Sequence, residues 1–253
     1  MIWKSTVLAL MLLLTGKQDM GPAQTGATAG GSAPATKPSY IQSCTNYILG
    51  STASISCTFA SAVTAGDQLY ACGVNDQDFT FTLTGDSGTW TADPNLPANY
   101  GLSGYGGNAI NCSYLASAGG GETSLTLTES TLAYVYLVIT ELRNGAFDTS
   151  DAGDNGASAS PVVGNSITTS AANDLVLALG QVSGSAVETC TAGTNVAWTL
   201  PSTAVQEPSN GGCVGMEYYS MPTTGAISMQ MQYANSGSTS EGWSSHIAAF
   251  KPQ

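Results

Sequence analysis

Residues 64–74, TAGDQLYACGV, and residues 170–181, SAANDLVLALGQ, decide how this chain folds. Each sets small turn-forming residues and an aspartate, Asp67 or Asp174, ahead of an apolar run too short for a helix and bounded as strands are. The likeness extends outward. GTWTADP resembles VAWTLP, NCSYLASAGGGETSLTL resembles MEYYSMPTTGAISMQM, and LVITELR resembles SHIAAFK. The offsets are 107 for Asp67 to Asp174, 108 for Trp90 to Trp198, 105 for Tyr114 to Tyr219 and 108 for Leu142 to Phe250. Four landmarks in one order at nearly one offset read as an internal duplication, about 53–145 and 160–252. No stretch of ten residues keeps a helical period, so the expected class is all-β, a β-sandwich or jelly-roll-like fold whose two halves pack face to face or share strands.

What precedes the duplication is of another kind. Residues 1–20 place Lys4 before an apolar run from Val7 to Leu14, too short to span a bilayer, and read as a secretory signal peptide with an open cleavage site. Residues 21–38 are almost wholly Gly, Ala, Pro, Ser and Thr and read as a flexible linker, since nothing in them buries enough to offset the entropy of ordering. Residues 39–253 are expected to form a single domain. The expected location is secreted, extracellular or cell-surface.

Of 5 basic and 17 acidic residues, Lys4, Lys17, Lys37 and Asp19 precede residue 38, leaving two basic against sixteen acidic residues, a formal charge of −14. Such a surface repels phosphate backbones and anionic lipid, which argues against nucleic acid and against membrane insertion of the mature chain.

Six cysteines behind an export signal imply three disulfides. In CTNYILGSTASISC, residues 44–57, a two-residue Gly50-Ser51 turn would make a hairpin whose facing residues sum to 101. Cys44 and Cys57 meet that sum as a non-hydrogen-bonded pair, with Cα atoms about 4.5 Å apart, within disulfide reach. Cys72–Cys112 and Cys190–Cys213 follow from proximity within each half.

Gly66-Asp67, Asn173-Asp174, the run Asp86-Ser87-Gly88-Thr89-Trp90 and the closing Ala249-Phe250-Lys251 also resemble an uncharacterised β-sandwich module that recurs in large secreted bacterial proteins. The resemblance covers roughly 53–252. It implies an extracellular sandwich and no catalytic residues.

Residues shared by the halves are expected to serve folding, and residues confined to one half are the better functional candidates. Asp67 and Asp174 suit turns in which a short side chain bonds its own backbone. Trp90, Trp198, Tyr114 and Tyr219 suit core or edge-covering aromatics. The loop at 93–107, DPNLPANYGLSGYGG, is half-specific: Tyr100 and Tyr105 could stack on sugar faces, with Asn95, Asn99 and Asn108 bonding hydroxyls. Asp148, Asp151 and Asp154 could hold calcium, the one candidate cofactor, against a plain solvated connector. Asp76 and Asp78 form a weaker pair. Glu141 and Glu217, on predicted strands, are the only candidate pair for glycoside hydrolysis.

The sole histidine, His246, lies in GWSSHIAAFKP at 242–252 and aligns with Val138 of the first half. It is expected to be a buried or rim residue held by one hydrogen bond, and with no GxSxG elbow it supplies no serine-hydrolase triad. The leading expectation is a non-catalytic sandwich that binds carbohydrate or a cell-surface protein through end loops. The alternatives are a self-associating subunit of a surface layer or filament, and a glycoside hydrolase.

Overall fold

β-Branched and aromatic runs punctuated by Gly, Asn and Ser leave little but strands, and among the described residues no helix occurs. The computed structural model describes residues 35–75, 80–96, 98–100, 108–183, 187–201, 205–206, 212–235 and 240–253. The first seven strands are β1 (Ser39–Thr58), β2 (Gln68–Asn75), β3 (Phe81–Thr84), β4 (Trp90–Ala92), β5 (Ala98–Tyr100), β6 (Asn108–Leu115) and β7 (Ser124–Arg143). They form one antiparallel sheet in the order β1-β7-β2-β6-β4, with β3 on β7 and β5 on β6. Next come β8 (Gly145–Ser150), β9 (Asp154–Ser158), β10 (Val162–Thr168), β11 (Leu175–Ser183) and β12 (Val187–Ala192). The chain closes with β13 (Val205–Gln206), β14 (Gly212–Ser220), β15 (Ala226–Asn235) and β16 (Glu241–Pro252). These nine build a second sheet, β13-β14-β11-β16-β8 with β9 also on β16, and a third, β10-β15-β12.

The long strands β1 and β7 pair from Ser39↔Arg143 to Thr58↔Ser124, with register shifts between Ile48 and Ser54. Such irregularities bend a strand pair. Cys44, Leu137 and Ile139 from one part, and Ile55, Cys57, Leu125 and Leu127 from the other, therefore share a core with Leu69 and Ala71 of β2. The Cys44–Cys57 bond staples this fold-over, with Cα atoms 5.6 Å apart. The pairing was predicted, but the hairpin was not the way it arises: there is no turn at Gly50-Ser51 that pairs β1 with itself. Cys44 faces Ile139 and Cys57 faces Leu125 across the ladder, because β7 is long enough to take the backbone hydrogen bonds of both segments.

The second sheet packs on the inner face of the first, joining Tyr70, Val138 and Leu142 to Leu177, Met216 and Phe250. Its other face meets the third sheet through Val176, Ala178 and Ile247 against Ile227, Met229 and Met231. Strand β11 thus sends alternate residues into two cores, which is why LVLALG is apolar without interruption. Gly180 leaves room there for two methionine tips: a Cβ would lie 2.3 Å from Met229 Cε, which would have to move. Cys72–Cys112 spans facing positions of β2 and β6, and Cys190–Cys213 ties the third sheet to the second.

Strand order in the first sheet reappears in the second, with β8 and β9, β16, β11, β14 and β13 in the places of β1, β7, β2, β6 and β5. Matching rungs are Gln68↔Leu142 with Leu175↔Phe250, and Cys72↔Val138 with Leu179↔His246. The rung Tyr70↔Tyr114 matches Leu177↔Tyr218, so Tyr114 corresponds to Tyr218 and not to Tyr219. A one-residue slip changes the face, and Tyr219 instead meets Trp198 edge-on in the outer core.

The end of the expected linker is tied down: Thr36 N–H donates to Gln253 O at 2.6 Å and Pro38 is buried. The expected signal peptide lies outside the described residues. Asp67 departs from its expected role, since its carboxylate takes a two-pronged contact from Arg143 at 2.9 and 3.1 Å. Asp174 does bond its own turn, accepting from Ala171 N–H at 3.4 Å.

Candidate functional site

His246 is buried between the first and second sheets at 1% exposure, as its strand face requires, but one hydrogen bond does not hold it. Nε2 lies 2.7 Å from Tyr70 Oη and 3.3 Å from Asp93 Oδ2, and Nδ1 lies 2.7 Å from Asp151 Oδ1. Tyr70 donates to Asp93 Oδ2 at 2.9 Å, and Ser150 Oγ donates to Asp93 Oδ1 at 2.6 Å. Asp151 Oδ1 also accepts the N–H of Ile247 at 3.0 Å. The Nδ1 contact is off the line of the N–H, so charge more than alignment holds that side. The sequence expectation is corrected because the valine at the matching position carries no information about carboxylates arriving from just after β8 and just after β4.

One phenolic proton cannot serve two acceptors, so Tyr70 donating to Asp93 leaves its oxygen to accept from Nε2–H. The arrangement suits an imidazolium. Burial disfavours that charge, but Asp151 and Asp93 outweigh it and hold His246 above its usual 6.5. Burial would likewise raise Asp93, yet the imidazole, Ser150 and the Asn95 N–H hold it below 3.8. Burial first, then the Asp93 charge, pushes Tyr70 well above 10.0. All three are within 1% of full burial, so no substrate reaches them, and the cluster is a polar lock between two sheets.

The carboxylates proposed for glycoside hydrolysis are not brought together. Glu141 faces the core inside the first sheet, bonded to Gln42 Nε2 at 2.5 Å and Thr64 N–H at 2.8 Å. Glu217 faces the opposite outer layer, accepting from Gly193 N–H at 3.0 Å, with burial pushing it up to about 8. Both are fully buried with two sheets between them, so they cannot flank one glycosidic bond; strand alternation sends each to the far side of its sheet. The three aspartates also diverge. Asp148 is held by Ser170 and Lys251, Asp151 by His246 and Ile247, and Asp154 by the N–H of Asn155. They do not form a ligand set because 145–150 and 154–158 are two strands on β16 rather than one loop. Among the described residues no group of three such side chains could hold a metal ion.

Of the expected sugar-binding loop, Asn95 spends its amide on Ser150 O and Oγ, both at 2.9 Å, and so ties the loop to β8. Asn99, Tyr100 and Asn108 have described backbone only, in the β5–β6 ladder. Tyr105, like Asp76 and Asp78, lies outside the described residues.

A concave site does exist elsewhere, where β1 enters beside β14. A groove of about 330 Å³ is lined by Lys37, Ser39, Tyr40, Leu175, Tyr218 and Ser220. Tyr40 and Tyr218 stack with centroids 4.5 Å apart and planes 7° from parallel, and Tyr40 Oη is 2.9 Å from Ser43 Oγ. The two tyrosines come from opposite sheets and are half-buried; Leu175, from the core, closes the floor. Sequence reading missed this groove because Lys37 sits in a linker-like run and nothing local links Tyr40 to Tyr218.

The matching place across the same core holds a second ring pair. There Phe147 stacks on Tyr114 at 4.7 Å and packs edge-on against Phe250, and a Cβ at Gly145 would lie 2.7 Å from Gln68 Oε1. Comparison of the chain with family models, with curated proteins and with solved structures gives no match.

Proposed function

We propose that this is an exported, non-catalytic binding protein that takes an extracellular carbohydrate in the groove lined by Tyr40 and Tyr218. The observation that carries the reading is the groove: two tyrosine rings fixed by mutual stacking beside the hydroxyls of Ser39 and Ser220, over an apolar floor. Rings held in advance lose little freedom on meeting a sugar face, and hydroxyls at the rim can exchange hydrogen bonds with its hydroxyls. Export is supported by three disulfides, by the signal-like start and by the resemblance to a secreted bacterial module. That the halves descend from one unit belongs to the same proposal, supported by the shared strand order.

A glycan array on the folded chain tests it. Tyr218→Ala is expected to weaken the bound glycan about tenfold, a loss of ~1.4 kcal/mol, with the melting transition still cooperative. Absence of any bound glycan, or unchanged binding in the variant, would sink the reading.

A further inference from the structure

We infer that the ligand of this groove is an acidic sugar whose carboxylate is held by the Lys37 ammonium, an inference that rests on the carbohydrate reading above. The described residues hold three basic side chains. Arg143 is engaged by Asp67 at 2.9 Å and Lys251 by Asp148 at 3.4 Å. Lys37 has no ion-pair partner among the described residues, and it is exposed at the groove wall. Among the described residues the one basic side chain without an ion pair therefore stands where two aromatic rings line a groove.

The carboxylates adjacent in sequence to the lining residues are Asp174, beside Leu175, and Glu217, beside Tyr218. Both are completely buried, Glu217 points into the far layer, and burial favours the neutral form of each. More distant carboxylates are muted over a screening length of about 8 Å at physiological salt. A carboxylate meeting Lys37 against the apolar wall of Leu175 and the tyrosine rings would gain more than an exposed pair in open water. A neutral sugar would use the rings and serines and leave the ammonium idle. An acidic sugar uses all three.

The test is an array of uronate- and sialate-bearing glycans, each printed beside its carboxyl-reduced twin, probed with the unmodified chain, Lys37→Gln, Lys37→Arg and Tyr218→Ala. The expected result is at least tenfold preference for an acidic glycan over its reduced twin, erased by Lys37→Gln and kept by Lys37→Arg, with both twins weakened about tenfold in Tyr218→Ala. Equal binding of a glycan and its reduced twin, or a preference that survives Lys37→Gln, overturns the acidic assignment and leaves the carbohydrate reading standing. No binding to either printed form overturns both. Lys37 is exposed, so its variants are expected to fold, and their melting temperatures check that.

Discussion

Two matching places in the core between the first and second sheets are built from opposite chemistry. On β16 the rung facing Leu179 holds His246, which meets Tyr70 and two carboxylates. On β7 the matching rung, facing Cys72, holds Val138, and Leu177 stands where Tyr70 would. The same core thus accepts an apolar solution at one place and a charged one at the other, so the strands do not require the charge. A buried ion cluster is poor evidence of added stability, but once present it cannot lose a member lightly, because the remaining charges stay in low dielectric.

The sharpest way to break this comparison is to make one place copy the other. His246→Val leaves Asp93 and Asp151 buried without their cation and is expected to destabilise by about 4 kcal/mol, seen as a lower denaturation midpoint. Adding Asp93→Asn and Asp151→Asn should recover a large part of that loss. A single valine variant within 1 kcal/mol of the parent would show that the carboxylates find other partners.

The next effect lies on the Val138 rung itself, where Cys72–Cys112 occupies the position that Leu179 and Met216 fill in the other half. Replacing the pair with Leu and Met keeps the apolar filling but frees the 40-residue separation, and about 3–4 kcal/mol should go, read by thermal melting. Little change would mean that packing alone suffices there.

Smaller again is the pH limb set by Glu217. Its folded value is raised to about 8 from 4.5, so its contribution is complete below 4.5 and shrinks as pH rises to about 8. His246 is also raised, so its contribution is present below 6.5 and lost as pH climbs through its folded value. Asp93 is lowered, so its contribution is present above 3.8 and lost as pH falls below that. Stability should therefore peak between pH 4 and 5 and decline toward pH 9. Glu217→Gln should flatten that decline by about 2 kcal/mol, part of the roughly 5 kcal/mol that the full shift represents. A parent chain equally stable at pH 5 and pH 9 would contradict the directions for Glu217 and His246.

The strands and the cysteine pairs were legible because they rest on local pattern: short β-rich runs, turn residues and a repeated spacing. The fold-over of β1 was not, because a Gly-Ser pair inside one strand looks the same in sequence as a hairpin turn. What distinguishes them is a twenty-residue partner, β7, far along the chain. Tyr114 was matched to Tyr219 when the ladder matches it to Tyr218, since a gap of one residue is invisible to motif comparison yet reverses the face. Of the candidate residues, Asn95 was noticed for its polarity, and its commitment to Ser150 could not be read from either segment alone.

The sequence by itself determined the all-β class, the disulfide partners and the strand on which His246 lies, because side-chain period, turn chemistry and cysteine spacing act over short stretches. Only the tertiary structure decided which strands face each other. Stacking two sheets joined Tyr70 to His246 and Tyr40 to Tyr218, separated Glu141 from Glu217, and left Lys37 beside a groove instead of in a spacer. Those outcomes depend on face and layer, which are properties of the assembled sheets and not of any one segment.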